Sequence, residues 1–399
     1  MSDSKKARVG FIGAGSFISF THLITAEECP FTEIRAIADI SGELLARHAA
    51  EKHVGYTTTE YKKLLADPEI DIIVIGTKQD LHAKLIVESL DAGKWVFCEK
   101  PMCDTQDEEK SVIEAEKRSP GRLAVGFNRR FAPAYTKALE LLKSCPRPWQ
   151  ISYRLMETSA AQKTPGNFYC GRPHIIFEGC HILDLASFIF GEAPERVFMS
   201  GDPLKSNCVV LEYSDGSQFQ FLLTTVGSVC LTKEHMEIFA DGVAITVSEF
   251  IDMRVRGIPG ETDMLFPPRF NEHWEEINGW GFDFYETFLV HDLINDDMKK
   301  APQNYPNPAP AVKRPQSALP FDIKNYPLRD NKQSWAMTPD KGWTVSFEHF
   351  ARAFLDGTVP LNADASAGKL ASDLGFALIK SAETHQTITF NVAHRRPGY

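Results

Sequence analysis

No run in this chain approaches the ~18 consecutive apolar residues that a membrane-spanning helix needs, so a membrane protein of that kind is not expected. Basic residues are also in short supply. Lys and Arg number 43 against 53 Asp and Glu, a formal charge of −10, whereas a nucleic-acid or anionic-membrane partner would want a basic face. The eight cysteines include no C-x-x-C pair and no zinc-ribbon spacing; several lie inside apolar runs, so reduced, buried thiols are expected. The opening "MSDSKKARVGFIG" is polar and then enters a strand at once, which leaves no room for a secretory apolar segment and points to the cytoplasm. There is no internal repeat and no low-complexity segment. What remains is 399 residues, 43% apolar and 24% charged, the make-up of a soluble globular protein with a large core and, at this length, two domains.

The first 127 residues alternate strand and helix patterns. "RVGFIG" (8–13) reads as a strand, 17–26 as a helix, "EIRAIAD" (33–39) as a second strand, and 41–52 as a helix with Ser41 as N-cap. "IDIIVIG" (70–76) is continuously apolar, fit to be buried on both faces. A helix over 81–92 follows, with Gly93 where a terminating glycine belongs. After the strand 95–98, Thr105 and Glu108 form a capping box for a helix to about Arg118, and "LAVGF" (123–127) is one strand more. Such alternation specifies a doubly wound parallel sheet.

Beyond about residue 130 the pattern has period two: "WQISYRL" (149–155), 208–226 and 235–250, the last two turning at Asp215-Gly216 and Asp241-Gly242. A helix over 180–190 ends at Gly191. The expected second domain is α+β, with a mostly antiparallel open sheet covered on one face by helices. Seven prolines between 302 and 327 exclude regular structure there and suggest a functional loop, an oligomer contact or a surface wrap. Phe347, Phe350, Ala351, Phe354 and Leu355 then mark a helix stopped by Gly357, and a last helix spans about 364–384. The expected division is a nucleotide domain over 1–128, an α+β domain over 129–362 carrying the proline-rich arm at about 299–340, and a C-terminal helix and tail over 363–399.

Between the first strand and the first helix lie Gly13 and Gly15, where a dinucleotide site needs the backbone to turn tightly and approach a pyrophosphate, with Ser16 and Phe17 opening the helix behind them. The third glycine of that fingerprint is missing: Ile18 stands in its place, which would displace the helix slightly outward. Asp39, ending the second strand, is the acidic partner expected for adenosine ribose hydroxyls. No Arg or Lys follows it at once, so NAD is expected over NADP; the alternative role is a solvated cap of the next helix.

"WVFCEKPM" (95–102) runs a buried strand straight into Glu99, Lys100 and Pro101. Ligands of such sheets lie outside the carboxyl ends of the strands, which puts Lys100 at the nicotinamide end of a cofactor. Burial and a positive ring there would both lower its pKa, as a proton carrier needs. Pro101 allows a cis bond that would aim the lysine into the cleft. A snorkelling surface lysine is the plainer alternative.

The stretch "DIIVIGTKQDLHAKLIVESLDAGKWVFCEKPM" (71–102) resembles the core signature of the glucose–fructose oxidoreductase/inositol dehydrogenase/MocA family. "VGFNRRFAP" (125–133), "GRPHIIFEGCHILDLASFIFG" (171–191), "DGSQFQF" and "KEHMEIFADG" are similar to its later blocks. The resemblance covers most of residues 7–250 and, less specifically, the last two helices. It implies an NAD-dependent oxidoreductase, a dimer or tetramer packed through its open sheets, and a sugar or cyclitol as substrate. It implies Glu99 near the nicotinamide ribose, Lys100 on the reacting hydroxyl, and His181 as catalytic base or acid. Thr77 and His82 would lie along the cofactor, while Asn128, Arg130 and Asp184 would border the substrate.

Two positions depart from the family pattern. Lys78 replaces a proline after Thr77, and Phe177 stands where the family often has Asp four residues before the histidine. Glu178, three before, shares a helix face with His181 and is the expected replacement. Arg154, Lys163, Arg172 and His174 are basic groups that could hold an anionic substituent on a sugar, or simply be surface charge. Glu178 and His181 also fit a Glu-x-x-His metal motif, but a di-iron site needs two copies and the sequence has one, so no metal is expected. A buried core histidine is the plain alternative for His181.

On the dehydrogenase reading, His181 or a neutral Lys100 removes the hydroxyl proton as hydride passes to NAD; in reverse, the Lys100 ammonium stabilises the carbonyl oxygen. Two further readings stay open. Some relatives oxidise a glycoside transiently, eliminate the aglycone, add water and return the hydride, which makes an NAD-dependent glycoside hydrolase. A non-catalytic NAD sensor would need neither Lys100 nor His181.

Overall fold

The computed structural model describes residues 5–157, 173–226, 232–267 and 339–390. The first sheet has six strands: β1 (Ala7–Ile12), β2 (Thr32–Ala38), β3 (Tyr56–Thr58), β4 (Ile72–Ile75), β5 (Trp95–Cys98) and β6 (Leu123–Val125). All pair in parallel in the order β3-β2-β1-β4-β5-β6, the doubly wound arrangement. β4 is buried throughout, as its unbroken apolar sequence requires.

The single helix expected over 17–26 is two, α1 (Ser16–Phe20) and α2 (His22–Glu28), jointed at Thr21 (φ −110°, ψ −72°). The Thr21 carbonyl accepts from both the amide and the hydroxyl of Thr25, at 3.1 and 2.8 Å, the side-chain back-bonding that bends helices. α3 (Gly42–Glu51) is capped by Ser41, whose hydroxyl accepts from the Leu44 amide. α4 (Tyr61–Ala66), α5 (His82–Asp91) and α6 (Gln106–Arg118) follow, the last with the expected Thr105–Glu108 capping box. A 3-10 turn over Asn128–Phe131 and α7 (Pro133–Leu142) lead into the second half.

There, among the described residues, nine strands form one sheet: β7 (Gln150–Met156), β8 (Arg196–Gly201), β9 (Asn207–Glu212), β10 (Gln218–Thr224), β11 (Glu234–Ala240), β12 (Val243–Ser248), β13 (Asp252–Arg256), β14 (Met264–Leu265) and β15 (Ile388–Thr389). Their order is β14-β13-β12-β11-β7-β10-β9-β8-β15, antiparallel except for β7 and β10. Both expected Asp-Gly turns close hairpins, with Gly216 and Gly242 at positive φ. α8 (His174–Phe177) and α9 (Gly179–Phe190) lie between β7 and β8, and Gly191 terminates α9 in the left-handed region. The proline-rich stretch 302–327, Lys163 and Arg172 lie outside the described residues.

α10 (Trp343–Asp356), which the expected division assigns to the second half, packs on the first sheet: Phe347 and Phe350 sit edge-on to Phe97, and Phe350 against Trp95. A parallel sheet must be covered on both faces, and α10 joins α1, α2 and α3 on one of them. Ala363 then bridges to Val125 at the β6 edge, before α11 (Ala365–Thr384) packs on α9 and β8. Five of the described cysteines are buried as expected, but Cys208 is exposed: it points outward from β9 as the strand alternates.

Candidate active site

The carboxyl ends of β1, β2, β4 and β5 set Gly13, Asp39, Thr77 and Glu99–Lys100 side by side along one edge of the first sheet. Gly13 has φ +91°, and a Cβ there would lie 2.7 Å from the Gly76 carbonyl oxygen, so only glycine fits. Gly15, which caps α1, faces open space. Ile18 is buried, and the room for it comes from across the crevice: a Cβ on Gly76 would fall 1.9 Å from the Ile18 Cδ1. The glycine missing from the helix is thus matched by one beyond the strand β4.

Asp39 accepts from the Ala14 amide at 2.8 Å through one oxygen and from the Ser41 amide at 2.8 Å through the other. It therefore both braces the glycine loop and helps start α3. Ser16 is exposed, and the half-exposed ring of Phe17 stands edge-on to Trp343. Thr77 donates to the Lys78 carbonyl. His82 is buried between the loops after β5 and β4, with Nδ1 2.7 Å from the Pro101 carbonyl oxygen and Nε2 3.2 Å from that of Thr77; a neutral ring donates to one of them. Burial holds its imidazole below the ordinary histidine value. Glu99 meets the wholly buried His22 at 2.6 Å, and the Lys100–Pro101 bond is cis, as the sequence led one to look for.

Lys100 reaches from this edge to the second half of the chain. Its Nζ donates to the Phe177 carbonyl at 2.9 Å and to Glu178 Oε2 at 3.0 Å. Glu178 sits at the joint between α8 and α9 and is buried. Its other oxygen lies 3.4 Å from Lys233 Nζ and 3.5 Å from Arg129 Nη2. Burial alone would raise its pKa, but Lys100 and then Lys233, His181 and Arg129 hold it well below the usual carboxylate range. Phe177 thus contributes its carbonyl, and Glu178 the carboxylate, to the same lysine.

His181 stands near the start of α9 with its ring edge-on to Phe127, and its buried Nδ1 has no hydrogen-bond partner among the described residues. Burial, followed by the cations Arg129 and Lys100, keeps it well below the ordinary histidine value, so it is a neutral imidazole. Lys233 bonds Glu157 at 2.5 Å, and Glu157 meets His174 at 3.0 Å; His174 is a buried member of this chain of charges.

Four residues expected at the substrate have hydrogen-bond partners within the protein. Arg130 and Asp184 form a buried two-point pair with each other (2.7 and 2.5 Å), tying the 3-10 turn to α9. Asn128 donates to the Lys341 carbonyl at 2.6 Å. Arg154 lies on the opposite face of β7 from Tyr153 and binds Thr232 at 2.9 and 3.2 Å, because side chains alternate along a strand.

Sequence reasoning missed Arg129, Glu157, Lys233, Glu234 and Lys341. One signal was available for Glu234: it occupies the inward phase of β11 with Met236 and Ile238, where an apolar residue is the norm.

Residues 7–127 match the family model described as "Oxidoreductase family, NAD-binding Rossmann fold". Over 205 residues the chain is 32% identical to an uncharacterized oxidoreductase, YrbE, of Bacillus subtilis (strain 168), covering 50% of this chain and 59% of that one. Over 220 residues it is 27% identical to a levoglucosan dehydrogenase of Pseudarthrobacter phenanthrenivorans, covering 48% and 56%. The chain thus spans little more than half the length of these curated relatives. A solved levoglucosan dehydrogenase in complex with NADH shares the fold, with a TM-score of 0.70 at 17% identity over 96% of this chain and 99% of the other. Over residues 7–127 the chain thus matches the NAD-binding Rossmann domain of the glucose–fructose oxidoreductase/inositol dehydrogenase/MocA oxidoreductases.

Proposed function

We propose that this protein is an NAD-dependent oxidoreductase that moves a hydride between NAD and a secondary hydroxyl of a sugar or cyclitol. The observation that carries the reading is Lys100: it ends the strand beside the nucleotide crevice, and its ammonium is held by Glu178 from the other half of the chain. The open space at Gly15, the tight turn at Gly13 and the Asp39 carboxylate at the end of β2 fit a dinucleotide. Gly13, Gly15, Ser16 and Asp39 would hold it, with Thr77 and Glu99 further along; when bound it supplies a hydride acceptor or donor.

The chain's own residues supply the proton chemistry. Lys100 is paired with a carboxylate, so it serves as the ammonium that hydrogen-bonds the substrate oxygen and stabilises negative charge there. His181, neutral because it is buried among cations, is the group able to take the hydroxyl proton on oxidation and return it on reduction. His82 is a positioning residue that fixes the Pro101 loop and hence Lys100.

The glycoside hydrolase alternative is not favoured, since relatives matched in sequence carry the names levoglucosan dehydrogenase and inositol 2-dehydrogenase. The reading also includes a homo-oligomer, dimer or tetramer, joined through the second sheet, and a cytoplasmic location. It is consistent with the absence, among the described residues, of any helix long and apolar enough to cross a membrane.

The test is a panel of free sugars, cyclitols and chromogenic glycosides with NAD⁺, following NADH absorbance and aglycone release together. Stoichiometric NADH without release is expected. Release with only catalytic NAD⁺ and no accumulating NADH would replace this reading with the hydrolase.

A further inference from the structure

Behind Glu178 lies a second carboxylate. Glu234, on β11, has a wholly buried side chain. Arg129 binds it at two points, Nε to Oε2 at 2.7 Å and Nη2 to Oε1 at 2.9 Å. Tyr153 donates to Oε2 at 2.5 Å and is itself the acceptor for the Tyr135 hydroxyl. Lys341 donates to Oε1 at 2.8 Å. The segment carrying Lys341 is pressed close to the 128–132 turn, for a Cβ on Gly342 would lie 2.4 Å from the Asn128 carbonyl oxygen. Glu234 is therefore fixed from three sides, and it fixes Arg129.

The same Arg129 Nη2 is 3.5 Å from Glu178 Oε1, at the outer limit of a hydrogen bond, while Glu178 Oε2 keeps Lys100 at 3.0 Å. Among the described residues, Glu178 is the other carboxylate within 4 Å of this guanidinium. A buried guanidinium stripped of one partner moves to the next, because leaving it unpaired costs far more than a small displacement. Arg–carboxylate pairing is moreover stronger when it is two-pronged, which a lysine cannot match.

We propose that Glu234 is a positioning residue for the reaction: by holding Arg129 at two points it keeps that arginine from capturing Glu178, and so reserves Glu178 for Lys100. The proposal rests on the roles given above to Lys100 and Glu178. Glu234 touches neither of them; it acts through Arg129.

The test is the Glu234→Gln variant of the full chain, read by crystallography and by kinetics on whichever substrate the panel returns. The expected structure has Arg129 paired at two points with Glu178, and Lys100 drawn away from it. Turnover falls about 100-fold, the scale of a roughly 1 Å misplacement at a reacting centre, with the NAD⁺ Kd unchanged. Adding Arg129→Met should restore about tenfold of the loss, since it removes the guanidinium that would compete with Lys100 for Glu178; a merely structural role predicts no rescue. An E234Q structure in which Glu178 still bonds Lys100 and Arg129 has not moved overturns the proposal, as does a double variant no better than the single. If E234Q does not fold, Glu234→Asp, with its shorter reach, gives the same structural readout. The crystallographic outcome stands apart from the functional reading, which fails instead if Lys100→Ala turns over like the parent.

Discussion

The proposed nucleotide end and the proposed substrate end of the site are built on opposite plans. At the first, backbone shape does the work: a glycine at φ +91°, a helix start facing open space, and a carboxylate bracing two amides. Its residues follow one another along short strand–turn–helix units. At the second, side chains of both signs, Lys100, Arg129, Glu157, Glu178, Lys233, Glu234 and Lys341, are brought together in ion pairs from distant stretches of sequence. A site of the first kind survives loss of a side chain but not a misplaced Cβ. One of the second kind is sensitive to every charge, because each buried ion depends on its partners.

The largest expected effect separates the two ends outright. Lys100→Ala should lower turnover by about 10³-fold, within the range for a proton-handling or charge-stabilising group, with the NAD⁺ Kd moved less than about twofold. Stopped-flow turnover and a fluorescence titration of NAD⁺ would check both, and comparable turnover would sink the assignment. Gly13→Ala probes the other end. A Cβ forced to 2.7 Å from a carbonyl oxygen at positive φ should destabilise the protein by about 1–3 kcal/mol and weaken NAD⁺ binding. A thermal melt and the same titration decide it, and an unchanged Kd would show that the loop is not the nucleotide site.

A smaller effect concerns pH. The folded-state pKa of His181 is depressed, so the unfolded chain binds its proton first. The stability it contributes is present above the unfolded value of ~6.5 and is lost as pH falls below it. For activity the sign is the same: kcat/KM should stay flat as pH drops through ~6.5, with the acid limb appearing only lower. An acid limb centred at an ordinary histidine value would mean that His181 is not the buried base. The smallest effect is a null one. Arg154→Ala should leave kcat and KM within about twofold, as expected for a side chain on the far face of the sheet; a large rise in KM would bring that face into the site.

Legibility follows the same division. Gly13, Asp39, Ser41, the Thr105–Glu108 box, both Asp-Gly hairpins and the stop at Gly191 were readable because each depends on neighbours within a few residues. Lys100 was readable because a strand that ends in charge is locally odd. Thr21 was not read as a joint, because a helix bend depends on which hydroxyl returns to which carbonyl. The partners of Arg130, Asp184 and Asn128, which bond each other or the backbone, were not readable, because only the fold decides which way a side chain on a turn will face.

The sequence by itself determined the strand–helix alternation, the dinucleotide loop, the change to period-two strands and the presence of a lysine at the crevice. These are fixed by backbone sterics and by apolar periodicity, both local. Tertiary structure alone decided that Phe177 would lend its carbonyl and Glu178 its carboxylate to that lysine, that α10 would return to cover the first sheet, and that Glu234 would stand behind Arg129. Those outcomes depend on pairing charges far apart in the chain and burying them together. Coulomb energy between buried groups is governed by distance in space and by exclusion of water, and neither is written in the order of the residues.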